Sequence, residues 1–207
     1  MSATTPADLV LAMTGASGAP YAVALLRALT AAGRTVHLVI SPSGAQVLRE
    51  ELGLAIATGG RFDPSAFGRP AITNDRVVYH RHDDFSAGIA SGSFLTGGMV
   101  VAPCSMSTLA SIAHGITTNL ITRAADVHLK ERRRLILVPR ETPLSLVHLE
   151  NMLAVTRAGA VVLPAMPGWY HRPQTLDDLI AFVVARICDL LGVESAPMPR
   201  WGERPGP

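Results

Sequence analysis

The sequence is poor in the residues from which small proteins build staples and metal sites. Two cysteines in 207 residues, Cys104 and Cys188, allow no disulfide framework and no metal-ligand spacing. The seven histidines form no HxxxH pattern. "HRHDD" at 80–84 is expected to be a solvated loop rather than a metal site. No acidic pair stands beside the glycine loop at 15–18, which argues against bound Mg²⁺. Charge is scarce too. Charged residues are 16% against 48% apolar, a balance that suits a large core and further burial between subunits. Lys+Arg 18 against Asp+Glu 16 leaves +2, too little for a nucleic-acid groove or a membrane patch. Between Ser86 and Ala113 there is no Asp, Glu, Lys, Arg or His, yet "SGS", "TGG" and "PCS" leave apolar runs too short to span a bilayer. No basic segment followed by an apolar block opens the chain, so no secretory signal is expected, and the sequence reads as a soluble, reduced, cytoplasmic protein.

What the sequence does hold is a repeating alternation. "LVLAMT" (9–14), "VHLVIS" (36–41), "MVVAP" (99–103), "LILVP" (135–139) and "AVVLPA" (160–165) are short aliphatic runs bounded by Gly, Pro or Ser, the pattern of buried parallel strands. Helical periodicity fills the gaps at about 19–32, 43–53, 105–113, 119–133, 144–158 and 175–191. The stretch 58–98 is the least regular. Strand alternating with helix predicts right-handed crossovers and an open parallel sheet with helices on both faces. At this length the chain is one domain, with its core at about 8–192 and a tail at 193–207.

Open sheets bind ligands beyond the carboxyl ends of their strands. That rule selects Thr14 to Ser17, Ser41, Pro103 to Ser107, Arg140 with Glu141, and Pro167 to Tyr170. The "TGASG" loop, between a strand and a helix, offers N–H groups, a helix dipole and the Ser17 hydroxyl to a phosphate. It lacks the third glycine of the dinucleotide fingerprint, and no Gly-Lys-Ser/Thr follows, so a mononucleotide phosphate fits best. Arg140 and Glu141, a cation beside a carboxylate, can bind an anion and move a proton. Tyr170 adds a hydroxyl at the same edge. Arg123 and Lys130 share a helix face with Asp126 between them, and spacing alone reads Asp126–Lys130 as an exposed i,i+4 pair. "KERRR" (130–134) reads as a helix C-terminus whose dipole favours cations. Arg186, on the stripe of Leu179, Phe182, Val183 and Leu190, needs a carboxylate partner or a bound phosphate.

"MTGASGAPYA" (13–22), "PCSMSTLASIAHG" (103–115), "NLITRAADVHLKERR" (119–133), "LVPRETPLSLVHLENM" (137–152), "LPAMPGWYHRPQ" (163–174) and "PRWGE" (199–203) together resemble the UbiX-type flavin prenyltransferases. The resemblance runs from near residue 9 to residue 203 and is weakest at 43–85. It implies a flavodoxin-like subunit that joins the dimethylallyl group of dimethylallyl phosphate to N5 and C6 of reduced FMN. The product, prenylated FMN, serves UbiD-type decarboxylases. It also implies a metal-free homo-dodecamer whose sites are built by several subunits. The matching positions for FMN are Gly15, Ala16, Ser17, Ser41, Cys104, Ser105, Met106, Ser107 and Arg123. Those for the substrate phosphate are Lys130, Arg140, Tyr170 and Arg186, with Trp201 near the site. Glu141 matches the glutamate that handles protons, and Ser17 the serine near N5. One departure is "SPSG" (41–44), where relatives carry Lys or an aromatic after the first Ser. Two other readings compete. Flavin-dependent cysteine decarboxylases carry Pro-Ala-Ser-Ala-Asn-Thr where "PCSMST" stands here, and a non-catalytic FMN carrier would need no second phosphate site.

Overall fold

The structure, a computed structural model, describes residues 8–59, 63, 67 and 74–194. Trp201 and most of the tail lie outside the described residues. In chain order the elements are β1 (Leu9–Met13), α1 (Ala19–Ala31), β2 (Val36–Ile40), α2 (Pro42–Leu52), β3 (Val77–His80), β4 (Gly98–Cys104), α3 (Met106–Ala113), α4 (Leu120–Lys130), β5 (Leu135–Pro139), α5 (Leu146–Ala158), β6 (Val161–Val162) and α6 (Leu176–Leu191). The six strands form one parallel sheet in the order β3-β2-β1-β4-β5-β6. Without the edge strand β3 this is the flavodoxin-like order. The chain moves outward from β1 to β2 and β3, then returns to the other side of β1 for β4. The crevice beyond the ends of β1 and β4 is therefore the topological switch point.

Side chains of β1 divide between two cores. Leu9, Leu11 and Met13 pack with α1 and α6, together with Leu38, Ile40, Val100 and Ile136. Val10 and Ala12 face the other way, toward α3, α4 and α5, with Val39, Val101 and Leu137. This is the period-2 consequence of a sheet covered on both faces, and it explains why its central strands are aliphatic throughout. Among the described residues no helix is long and apolar enough to cross a membrane.

Two strand expectations needed revision. β3 lies inside the stretch read as irregular, because a half-buried edge strand of four residues presents no aliphatic run. β6 is shorter than 160–165. The extended pairing nevertheless continues through Leu163 N–H to the Leu137 carbonyl at 2.8 Å and Ala165 N–H to the Pro139 carbonyl at 3.1 Å. Pro164, which has no N–H to give, separates those two bonds. The "HRHDD" loop also differs at its first residue. His80 is drawn into the sheet, where its Nε2 lies 2.9 Å from His37 Nδ1, while His37 Nε2 lies 3.2 Å from Asp8. The remainder is solvated as expected, with Arg81 paired to Asp83 at 2.7 Å.

Candidate active site

The β1–α1 and β4–α3 loops meet at the switch point, and Thr14 joins them. Its hydroxyl donates to the Pro103 carbonyl at 2.8 Å and accepts from the Ser105 N–H at 2.8 Å. Thr14 is buried, so removing the hydroxyl strands an amide where water has poor access. Thr14→Val is expected to lower stability by about 2 kcal/mol in urea denaturation, with Thr14→Ser close to the parent protein. A loss below about 0.5 kcal/mol for Thr14→Val would show that the joint is dispensable.

Small residues let α2 close on this loop. A Cβ on Gly15 would lie 2.5 Å from Ser43 Cβ, and one on Gly44 would lie 2.6 Å from the Met13 carbonyl oxygen. The second contact explains the glycine of "SPSG": Gly44 permits α2 to start against the end of β1. Ser41 caps that helix by accepting from Gly44 N–H at 3.0 Å, with Pro42 in the first turn. Ser105 caps α3 in the same way, accepting from Thr108 N–H at 3.3 Å, and its hydroxyl lies 3.1 Å from that of Ser107.

Along 104–107 only the two serines present side chains outward. Cys104 and Met106 are buried in the core below α3. Burial pushes the Cys104 thiol up to about 12, so it is an inert apolar group here rather than a nucleophile.

The peptide between Ser17 and Gly18 is held at both ends. Arg140 Nε donates to the Ser17 carbonyl at 3.2 Å. Gly18 N–H donates to the Glu51 carboxylate at 3.0 Å, and Ala19 N–H to the same oxygen at 2.8 Å. This narrows the phosphate expectation for "TGASG". Two amides at the α1 N-terminus already serve an internal carboxylate, so an incoming anion meets only the exposed positions Gly15 and Ser17. Sequence reasoning missed Glu51, because "REEL" on α2 reads as a solvated face. The available signal was that α1 begins at a glycine with no side chain to cap it.

Beyond β5, Pro139, Arg140, Glu141, Leu144, Met152, Pro164 and Met166 line a cleft of about 230 Å³. Its walls are mainly aliphatic, with the Arg140 cation and the Glu141 carboxylate set among them. Glu141 accepts from the Thr142 N–H at 3.0 Å. Four residues beyond Met166, the Tyr170 ring meets Phe182 edge-on at 5.7 Å and His171 at 5.8 Å, while His171 stacks on Phe182 at 5.3 Å.

The remaining cations do not join this group within one chain. Arg123 pairs with Asp126 at 2.8 Å and also donates to the Ala90 carbonyl at 3.0 Å. Asp126 is thereby taken, and the expected Asp126–Lys130 pair is replaced by Lys130 with Glu131. Lys130 ends α4, which runs back from the site edge toward the start of β5, so it lies at the far end of the sheet from Arg140. Beside it, a Cβ on Gly92 would come within 2.7 Å of Lys130 Nζ. Arg133 fastens the same loop, donating to the Phe94 carbonyl at 2.7 Å. Lys130 stands in the last turn of α4, as the helix C-terminus reading of "KERRR" expects, and Arg133 lies just beyond it. Arg186 is half exposed and takes the carboxylate partner considered for it, Asp189 at 3.0 Å. Its predicted apolar stripe is offset, since the face of α6 buried in the core is Val183, Val184, Ile187, Cys188 and Leu191. Among the described residues, no group of three or more His, Cys, Asp or Glu side chains is placed to hold a metal ion.

A family model described as "Flavoprotein" matches residues 2–188. The chain belongs to this flavoprotein family. Within the family its likeness is specific. It is 49% identical over 191 residues, 92% of this chain and 91% of the relative, to "Flavin prenyltransferase UbiX" of Halalkalibacterium halodurans. A crystal structure described as AnUbiX (PadA1) in complex with FMN and dimethylallyl pyrophosphate superposes with a TM-score of 0.82 at 42% identity, covering 96% of this chain and 98% of that one. A dodecameric FMN-dependent UbiX-like decarboxylase from Escherichia coli O157:H7 superposes with a TM-score of 0.81 at 44% identity, covering 95% and 100%. The FMN-dependent cysteine decarboxylase TvaF, at 20% identity and a TM-score of 0.56, shares the fold alone.

Proposed function

We propose that this flavoprotein is a flavin prenyltransferase, joining the dimethylallyl group of dimethylallyl phosphate to reduced FMN at N5 and C6. The observation that carries the reading is the Arg140–Ser17 contact beside an aliphatic cleft that also holds Glu141. A cation, a hydroxyl-bearing loop and a carboxylate around a small apolar space are what an allylic phosphate ester requires. The near full-length likeness to UbiX enzymes points the same way.

The residues present fit the flavin. Gly15 and Ser17 are exposed at the switch point, and the neighbouring loop offers the Ser105 and Ser107 hydroxyls. Gly15, Ala16, Ser17 and Ser41 would hold FMN together with Ser105, Ser107 and the backbone of Cys104 and Met106. When bound, reduced FMN supplies the nucleophilic N5 and C6. The chain's own residues do the rest. Arg140 faces the departing phosphate as its negative charge grows, a preorganised stabilisation worth most where water is excluded. Glu141 gives a proton to the phosphate, and the resulting carboxylate or the released phosphate takes up the proton displaced from C6. The aliphatic walls formed by Leu144, Met152 and Met166 would shield the allylic cation from water once neighbouring copies cover the exposed Leu144 and Met166.

Lys130 and Arg186, whose positions in one chain lie away from Arg140, complete the phosphate cradle with Tyr170 when copies assemble. A broad exposed apolar surface, including Leu146, Val147, Leu153, Met166, Trp169 and Leu176, supports such an assembly, which we take to be a homo-dodecamer. Arg123 would border the flavin edge, as the likeness to UbiX enzymes implies. Cationic side chains rather than a metal ion meet the phosphate charge. The product passes to a UbiD-type decarboxylase, in the cytoplasm. The direct test is to incubate the protein anaerobically with reduced FMN and dimethylallyl phosphate and measure the flavin mass. A gain corresponding to the dimethylallyl group is expected; an unchanged mass would favour an FMN carrier.

A further inference from the structure

We propose that Met152 sets the length of the prenyl chain that the cleft accepts, as a specificity-determining residue of the proposed reaction. The cleft has an anchoring end and an inner end. Arg140 and Glu141, its only charged walls, directly follow β5 and so stand at the C-terminal edge of the sheet. α5 returns from that edge between the parallel strands β5 and β6, and therefore runs antiparallel to them. Leu146 is the first residue of α5, and Met152 lies about 9 Å further down its axis. A chain held by its phosphate at Arg140 thus extends its apolar end toward Met152.

The other walls are not placed to gauge length. Leu144 and Met166 are exposed at the mouth, at 39% and 68%. Pro164 and Ala165 belong to the extended chain beside β5, where Ala165 N–H donates to the Pro139 carbonyl at 3.1 Å. Met152 is half-buried and packs against the core covered by α3, α4 and α5, so its side chain closes the inner end. The size agrees. An apolar cavity of roughly 150 Å³ admits benzene. A cleft of about 230 Å³ therefore holds a five-carbon allylic group with its phosphate and leaves no room for a second isoprene unit. Methionine suits such a gauge, being unbranched and able to fill a gap of irregular shape. Truncating it to alanine removes the thioether and lengthens the cleft from within, leaving Arg140 and Glu141 in place.

This inference rests on the prenyl-transfer reading of the cleft, and its test separates the two. The bonds made and broken are those of the proposed reaction; only the length of the transferred chain differs. The full chain, as parent protein, Met152→Ala, Met152→Leu and Met152→Phe, is given reduced FMN with a mixture of dimethylallyl phosphate and geranyl phosphate, its ten-carbon homologue. Flavin mass reports which chain is attached. Because both donors compete for one preparation, the product ratio does not depend on how much of it is folded. The parent protein should attach the five-carbon chain almost exclusively. Met152→Ala should raise the ratio of ten- to five-carbon product at least tenfold, the low end of what a single methylene decides in an apolar pocket. Met152→Leu, of similar volume, should keep the parent ratio. Met152→Phe, whose ring shortens the cleft, should raise KM for dimethylallyl phosphate without moving FMN affinity. A second measurement needs no reaction: the dissociation constants of isopentyl phosphate and tetrahydrogeranyl phosphate, saturated analogues that cannot ionise, by calorimetry on FMN-loaded protein. Met152→Ala should move their ratio toward the longer chain by a similar factor. A shifted affinity ratio with no gain of flavin mass in any protein would count against the reaction and uphold the length gauge. An unchanged product or affinity ratio in Met152→Ala, or a parent protein that attaches the longer chain as readily, would overturn the proposal.

Discussion

Replacing Arg140 with alanine is expected to slow prenyl transfer by about 100- to 1,000-fold, the usual cost of deleting one preorganised group that meets charge developing in a transition state. Two functions disappear with this side chain. In the proposed reaction its guanidinium would face the departing phosphate, where a close charge pair contributes on the order of 4 kcal/mol at an effective dielectric near 20, before desolvation is subtracted. Its Nε also holds the Ser17 carbonyl at 3.2 Å. Arg140→Lys restores charge but not a planar fork able to serve both partners, so it should recover only part of the rate. Single-turnover assays with reduced FMN and dimethylallyl phosphate give the comparison. An alanine variant within tenfold of the parent would remove Arg140 from this role.

The second large effect concerns acid stability. His128 is buried in the core side of α4, where its Nδ1–H donates to the Ala124 carbonyl at 2.7 Å and its Nε2 accepts from the Thr96 hydroxyl at 2.9 Å. Both nitrogens are committed with the ring neutral. Burial, reinforced by the nearby Arg133 charge, brings its pKa down to about 4 from an ordinary 6.5. Between those values the unfolded chain binds the proton and the folded chain does not, so stability rises with pH across this window. Full stability from this group is present above pH 6.5 and is lost as pH falls toward 4. The total is about 3 kcal/mol, at 1.36 kcal/mol per unit of displacement. Burial also lowers His80, which adds in the same direction. Urea denaturation at pH 7 and pH 4.5 should therefore show a steep drop for the parent protein and a shallower one for His128→Gln. Equal slopes for the two proteins would exclude His128 as the cause.

Much of the site was readable along the chain because strand ends converge at a switch point whatever the details of packing. Ser17, Ser41, Ser105, Arg140 and Glu141 all follow aliphatic strands directly, and the structure places all five along the C-terminal edge of one sheet. β3 was not legible, since an edge strand bearing Tyr79 and His80 lacks the aliphatic signature of buried strands. Glu51 was not legible either. Its partners are brought to it only by the closure of α2 on β1, which depends on the absence of side chains at Gly15 and Gly44.

Local pattern alone determined that this chain forms an open parallel sheet with helices on both faces, because hydrophobic period and glycine punctuation act over a few residues. The position of each strand-end residue at one edge follows from the same periodicity. Which charges meet is a different matter, decided by packing between elements far apart in sequence. Tertiary structure gave Asp126 to Arg123 rather than Lys130, set Glu51 and Arg140 on opposite ends of one peptide, and paired Lys130 with Glu131 and Arg186 with Asp189. Charge pairing depends on distances of a few ångströms, and only the folded core sets those distances.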